Sequence, residues 1–135
     1  MAIVVDASVA LKWFLSEIGS FEAEALQAAG GIIAPDLVVT EVLNGLWKAW
    51  RKSLVPRDQL DRSVPIVAPS FSRLASSAGL AEQAWPICIL LDHPIYDCLY
   101  LALAEREDCE MVTADARLLT KVRGTAFAKR VRPLI

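Results

Sequence analysis

The sequence predicts an α/β fold: a central, mostly parallel sheet of four to five strands between helices, in a three-layer α/β/α sandwich. Three observations point to it. Ile3-Val4-Val5, Ile32-Ile33-Ala34 and Met111-Val112-Thr113-Ala114 are short, continuous, mainly apolar runs, the make-up of strands buried on both faces. Segments with helical spacing of apolar residues separate them, and strands alternating with helices give a parallel sheet covered on both sides. The 135 residues are 55% hydrophobic and 22% charged, with a mean hydropathy of +0.41. That suits a single domain over residues 1–135, in which folding hides about 70% of the surface.

The elements follow in order along the chain. Asp6-Ala7-Ser8 opens a helical pattern that runs to Leu15 and is broken by Gly19-Ser20. Phe21 to Ala29 reads as a second helix closed by Gly30-Gly31. Pro35-Asp36 starts a long helix to about Lys52, an early proline and an early acid being start signals. Pro56-Arg57-Asp58 starts a short helix, and Pro65 to Ala68 is expected as the third strand. Helical patterns follow over Ser70 to Ser77 and Leu80 to Leu91, the latter kinked or interrupted by Pro86. Asp92-His93-Pro94 resets the chain, with Asp92 placed to cap the strong helix from Ile95 to Glu107. After the strand at Met111, Asp115 to Lys121 reads as a short helix and Val131 to Ile135 as a last strand.

Composition narrows the function. No apolar run approaches the ~20 residues of a membrane span, and the first residues lack the basic region of a secretory signal. Cys88, Cys98 and Cys109 are an odd, widely spaced set. They are expected as buried free thiols in a cytoplasmic protein, not as a disulfide or zinc framework. The net charge of -2 excludes a generic polyanion binder, but the charge is uneven. Residues 1–47 hold six acids and one base, and residues 111–135 hold one acid and six bases. The basic end reads equally as a solvated surface or as a patch that steers a phosphate backbone. Trp13, Phe14, Trp47 and Trp50 are expected mainly in the core, with a dimer seam or partner groove as the other reading.

Ligands of open parallel sheets bind at the carboxyl ends of the strands, and four acids fall where that matters. Asp6 and Asp115 follow the first and fourth strands, where an Asp is also a common helix N-cap. In the long helix, at about 100° per residue, Asn44, Gly45, Lys48 and Lys52 fall within about 60° of Glu41, opposite Val42, Leu43, Leu46 and Trp50. Asp97 lies on a helix that is apolar nearly all round, and a buried unpaired carboxylate costs several kcal/mol. A helix N-terminus returns only about 0.5–1 kcal/mol, so a cation lies beside Asp97 or the residue sits at the rim of a cleft. Four converging acids repel one another, a conflict that a divalent cation resolves. An all-oxygen donor set points to Mg²⁺ or Mn²⁺. His93, the only histidine, reads as a loop or capping residue.

Val4-Val5-Asp6-Ala7-Ser8, Ala34-Pro35-Asp36-Leu37 leading to Glu41-Val42-Leu43-Asn44, His93 to Ala102, and Val112-Thr113-Ala114-Asp115 resemble, in order, the PIN domain of VapC-type toxins from toxin–antitoxin pairs. The resemblance runs over essentially the whole chain, Pro86 being the departure from it. It implies a Mg²⁺-dependent endoribonuclease that forms a homodimer and is neutralised by a small antitoxin. Asp6, Glu41, Asp97 and Asp115 then bind metal and carry catalysis, and Ser8, Asn44 and Thr113 support them. RNA is cut by an activated water to leave a 5′-phosphate and a 3′-hydroxyl. Lys48 and Lys52 are candidates for flanking phosphates. Two other readings stand beside it. One is a PIN-like scaffold whose acids are only caps. The other is a haloacid-dehalogenase-like phosphatase, although Ser8 occupies the place of that family's second Asp.

Overall fold

Ile3–Val5 (β1), Ile32–Pro35 (β2), Arg73–Ala75 (β3), Met111–Thr113 (β4) and Val131–Pro133 (β5) form one sheet in the computed structural model, which describes residues 1–135. The order is β3-β2-β1-β4-β5 and every pairing is parallel. Val4 sits opposite Ile33 on one side and Met111 on the other. The helices are Ala7–Ala10 (α1), Ser20–Ala29 (α2), Leu37–Arg51 (α3), Arg57–Ser63 (α4), Ser77–Leu91 (α5), Ile95–Arg106 (α6) and Ala116–Val122 (α7), with a 3-10 turn over Leu11–Trp13 after α1.

The strand order decides where each helix lies. From β1 the chain steps outward to β2 and β3, then crosses back over the sheet to β4 and β5. Right-handed crossovers put α1 to α4 on one face and α5 to α7 on the other. The crossing from β3 to β4 lays α6 across the middle of the sheet, against β1, β2 and β4, with α5 packed on its far side. That explains a helix without a polar face: Cys98 to Ala104 are all buried. The strands are short but central, and Val4, Val5, Met111 and Val112 have no exposed surface.

Three local expectations fail. Residues 65–68 are not a strand: Val64–Ile66 and Ala68–Ser70 are 3-10 turns, because Pro65 and Pro69 remove ladder donors. The third strand lies later, at Arg73–Ala75, within the segment expected to be helical, and Ser76 then caps α5 by accepting from the Gly79 N–H. Pro86 does not interrupt α5. Pro86 and Glu82 both lie on the exposed side, so the carbonyl that proline leaves free is on the solvent side of the helix.

Asp92 does not cap α6 either. It ends α5 in a left-handed conformation (φ 48°), and Pro94 stands at the start of α6 with no side-chain cap. Of the cysteines, only Cys98 is fully buried, and Cys88 and Cys109 are partly so; all three are free. Trp13 packs half-buried and donates to the Ala23 carbonyl at 2.8 Å, but Trp47 and Trp50 stay about half exposed on α3. Gly45 has a packing reason: a Cβ there would lie 2.7 Å from the Leu11 side chain, so its absence lets the segment after α1 close onto α3.

Candidate active site

The strand order reverses at β1, so β1 and β4 are neighbours whose following loops diverge. A cleft opens at that switch point, at the carboxyl ends of the strands. Asp6 leaves β1 there and Asp115 follows β4. α6 runs back toward the sheet before β4, so its first turn, with Asp97, starts at the same end. Glu41 lies about 6 Å along α3, the helix that follows β2.

Asp6 is almost wholly buried, at 3% exposure. Its carboxylate accepts from the Ser8 hydroxyl at 2.5 Å, the Thr113 hydroxyl and the Val9 N–H at 3.2 Å. Those hydroxyls serve twice: Ser8 accepts from the Ala114 N–H and Thr113 from the Asp115 N–H, both at 3.0 Å. The loops after β1 and β4 are thereby tied together around one carboxylate. Burial pushes the Asp6 carboxyl up to about 6 against the pull of these donors, and the negative charge of Asp97 adds to it.

Asp115 is partly exposed and accepts from the Arg117 N–H at 2.9 Å. Both Asp6 and Asp115 therefore cap short helices, as an Asp at a strand-to-helix junction is placed to do. Asp97 has a side chain 20% exposed and lies 2.5 Å from the Nε2 of buried His93. The His93 N–H donates to the Cys88 carbonyl at 3.4 Å, and the Cys98 thiol donates to the His93 carbonyl at 3.8 Å. Asp97 thus has a hydrogen-bond partner in His93 and keeps part of its carboxylate open to solvent. One ligand atom each from His93, Asp97 and Asp115 lie within 4.8 Å of one another.

Glu41 accepts from the hydroxyl of fully buried Tyr100 at 2.6 Å. Burial raises the Glu41 carboxyl above its ordinary range, and Asp97 contributes in the same direction. Burial and the nearby carboxylates hold the Tyr100 phenol well above its usual range, so it stays a donor. None of the four acids has a lysine or arginine partner.

The cleft encloses about 470 Å³, lined by Ser8, Glu41, Asn44, Gly45, Lys48 and Tyr96 among others. Lys52 ends α3 and does not line it. A larger hollow of about 740 Å³ opens at the amino ends of the strands, but its acids Glu107, Asp108 and Glu110 pair with Arg73, Arg130 and Arg132. Of the four acids only Glu41 lines the smaller cleft; Asp97 acts electrostatically on both Glu41 and Asp6 and lies with Asp115 beside His93.

His93 and Tyr100 are the site residues that sequence reasoning passed over. A histidine four residues before Asp97 and a tyrosine three residues after it were the available signals, since a buried Tyr hydroxyl needs a partner.

A sequence model of the PIN domain matches residues 3–124, a span that contains all four acids. The chain belongs to the PIN-domain family. Ribonuclease VapC9 of Mycobacterium tuberculosis is 39% identical to this PIN domain over 121 residues, 86% of this chain and 87% of its own length. Ribonuclease VapC3 of Pyrobaculum aerophilum is 32% identical over 124 residues, 90% of this chain and 95% of its own. The crystal structure of PAE2754 from Pyrobaculum aerophilum superposes with a TM-score of 0.70 at 23% identity, covering 93% of this chain and 89% of that one, a likeness of fold.

Proposed function

We propose that this PIN domain, acting as one domain over residues 1–135, is a Mg²⁺-dependent endoribonuclease and the toxin of a toxin–antitoxin pair. One observation carries the reading. Carboxylates from four separate elements meet at the switch point, one of them fully buried, with no lysine or arginine to match them. Folding would not retain such a cluster for stability, and the names of the relatives supply the chemical class.

The donor set fits a hard divalent ion. Asp97 and Asp115 present oxygens to partly open space, and Asp6 offers a buried carboxylate whose charge lacks a counter-ion. Asp6, Asp97 and Asp115 would hold Mg²⁺, with Mn²⁺ able to replace it, and Glu41 would act at longer range. When bound, the ion supplies a Lewis acid that favours hydroxide over water and neutralises charge gathering on the phosphate. Ser8 and Thr113 fix the Asp6 carboxylate, and the Nε2 of His93 fixes Asp97, the arrangement by which outer partners orient ligands. Tyr100 holds Glu41 so that its free oxygen can orient the attacking water and take its proton. Asn44 and Lys48 on the same cleft wall would meet the ribose-phosphate chain.

The partners belong to the same proposal. An apolar groove between α3 and α4, lined by Leu43, Trp47, Trp50 and Leu60, suits an antitoxin segment. Trp85, Ile89 and Leu90 on α5, each at least 60% exposed, suit a second copy of the chain. A cytoplasmic setting keeps the three free thiols reduced. The test is cleavage of structured RNA with Mg²⁺ and with EDTA, beside a small phosphomonoester. Metal-dependent RNA cleavage with no phosphomonoesterase activity is expected; activity on the monoester alone would overturn the reading.

A further inference from the structure

A protein of net charge -2 that gathers four carboxylates without a lysine or arginine partner at the carboxyl end of its sheet repels a polyanion at the place where it must bind. Attraction has to come from cations close by, because the screening length is only about 8 Å at physiological salt. Six of the fourteen lysines and arginines, Lys12, Arg57, Arg62, Arg73, Arg130 and Arg132, are already held by acids. Among the rest, Lys48, Arg51 and Lys52 cluster at the end of α3, and a second group lies on α7. From Ala116 to Arg123, α7 and its last residue carry Arg117, Lys121 and Arg123 and no acid. All three are exposed and none is in an ion pair.

Position distinguishes this stripe from the remaining free cations. Burial of Leu118 and Val122 fixes the rotation of α7 and leaves Arg117 and Lys121, four residues apart, on one exposed side. The Arg117 N–H bonds the Asp115 carboxylate, so the stripe begins at the acidic cluster itself. Arg106 lies about 14 Å farther along α6 than Asp97. Lys129 lines the hollow at the amino ends of the strands.

We propose that Arg117 and Lys121 form a phosphate-binding track that holds the RNA backbone against the acidic cluster and leads it away along α7. This rests on the ribonuclease reading. Lys48 lines the cleft from α3, on the opposite face of the sheet from α7, so the strand would be gripped on two sides of the carboxylates while the bases stay unread. Its contribution is substrate capture, not chemistry.

The experiment compares the wild type with Arg117→Ala/Lys121→Ala and with a control of equal charge change at distant positions, Arg106→Ala/Lys129→Ala. The probe is a fluorescein-labelled, mixed-sequence single-stranded RNA. KM and kcat are measured with Mg²⁺, and binding is measured by anisotropy in an Asp97→Asn background. Two lost phosphate contacts should lower the slope of log affinity against log salt by about 1.4, making the defect about sevenfold larger at 50 mM than at 200 mM salt. KM should rise with kcat nearly unchanged, and the control pair should behave as wild type. Equal slopes for the wild type and the α7 variant would overturn the track, as would an equal loss in the control pair. A wild type that cuts no RNA would instead sink the ribonuclease reading, so the two failures are distinguishable.

Discussion

Replacing Asp6 with Asn should stabilise the metal-free protein at neutral pH. The carboxyl rises from 3.8 to about 6 on folding, with burial as the largest cause. At about 1.36 kcal/mol per unit, an ionised Asp6 costs the fold about 3 kcal/mol relative to a side chain that stays neutral. The sign follows from proton binding. Between about pH 4 and pH 6 the folded chain holds this proton more tightly than the unfolded chain, so stability falls as pH rises through that window and stays lowered above it. Asn cannot ionise, but it must turn an N–H toward a hydroxyl that now donates, so the gain should be about 1–3 kcal/mol, or about 4–12 °C in Tm for a chain of this size. Thermal melts in EDTA at pH 4 and pH 7.5 should therefore nearly coincide at the lower pH and separate at the higher, the variant melting later. Millimolar Mg²⁺ should reverse the order by stabilising only the wild type. A variant that melts earlier in EDTA at pH 7.5 would refute the reasoning, because the three hydrogen bonds to the carboxylate would then outweigh its burial.

Other expectations follow from the same geometry. Asp97→Asn and Asp115→Asn should abolish cleavage and weaken Mn²⁺ binding in calorimetry while leaving circular dichroism unchanged. Tyr100→Phe removes a hydrogen bond that lowers the Glu41 carboxyl; its acid limb in a kcat profile should move to higher pH, with about 1 kcal/mol lost in stability. His93→Ala should lower kcat and metal affinity by freeing Asp97, at a cost of about 10–100-fold, measured by metal titration of activity. Gly45→Ala should destabilise by about 1 kcal/mol in a urea melt, overpacking against Leu11 exceeding the gain in helix propensity.

The parts legible in the sequence were those where one physical demand dominates. The central strands must be apolar on both faces, and α6 must be apolar all round because the crossing chain lays it across the middle of the sheet, so both could be read from composition. Asp97 was conspicuous for the same reason: a carboxylate on such a helix needs an explanation. Edge elements obey weaker rules. β3 is three residues long with exposed Arg73, whose partner Glu107 comes from the far end of α6 and is invisible locally. The prolines at 65 and 69 turned an apolar run into 3-10 turns, because a strand needs the ladder donors they lack, whereas Pro86 was tolerated inside a long helix that loses one hydrogen bond on its exposed side. His93 and Tyr100 were missed because their roles exist only across elements: one needs the turn between α5 and α6, the other needs a side chain of α6 to reach Glu41 of α3.

The most direct measurement is an anomalous difference map from crystals grown with Mn²⁺. A single strong peak touching at least two of Asp6, Asp97 and Asp115 is expected, disappearing in Asp97→Asn. No peak in the cleft at saturating Mn²⁺, or one only at distant acids such as Asp108 and Glu110, would contradict the claim that these four carboxylates are gathered to hold a divalent ion.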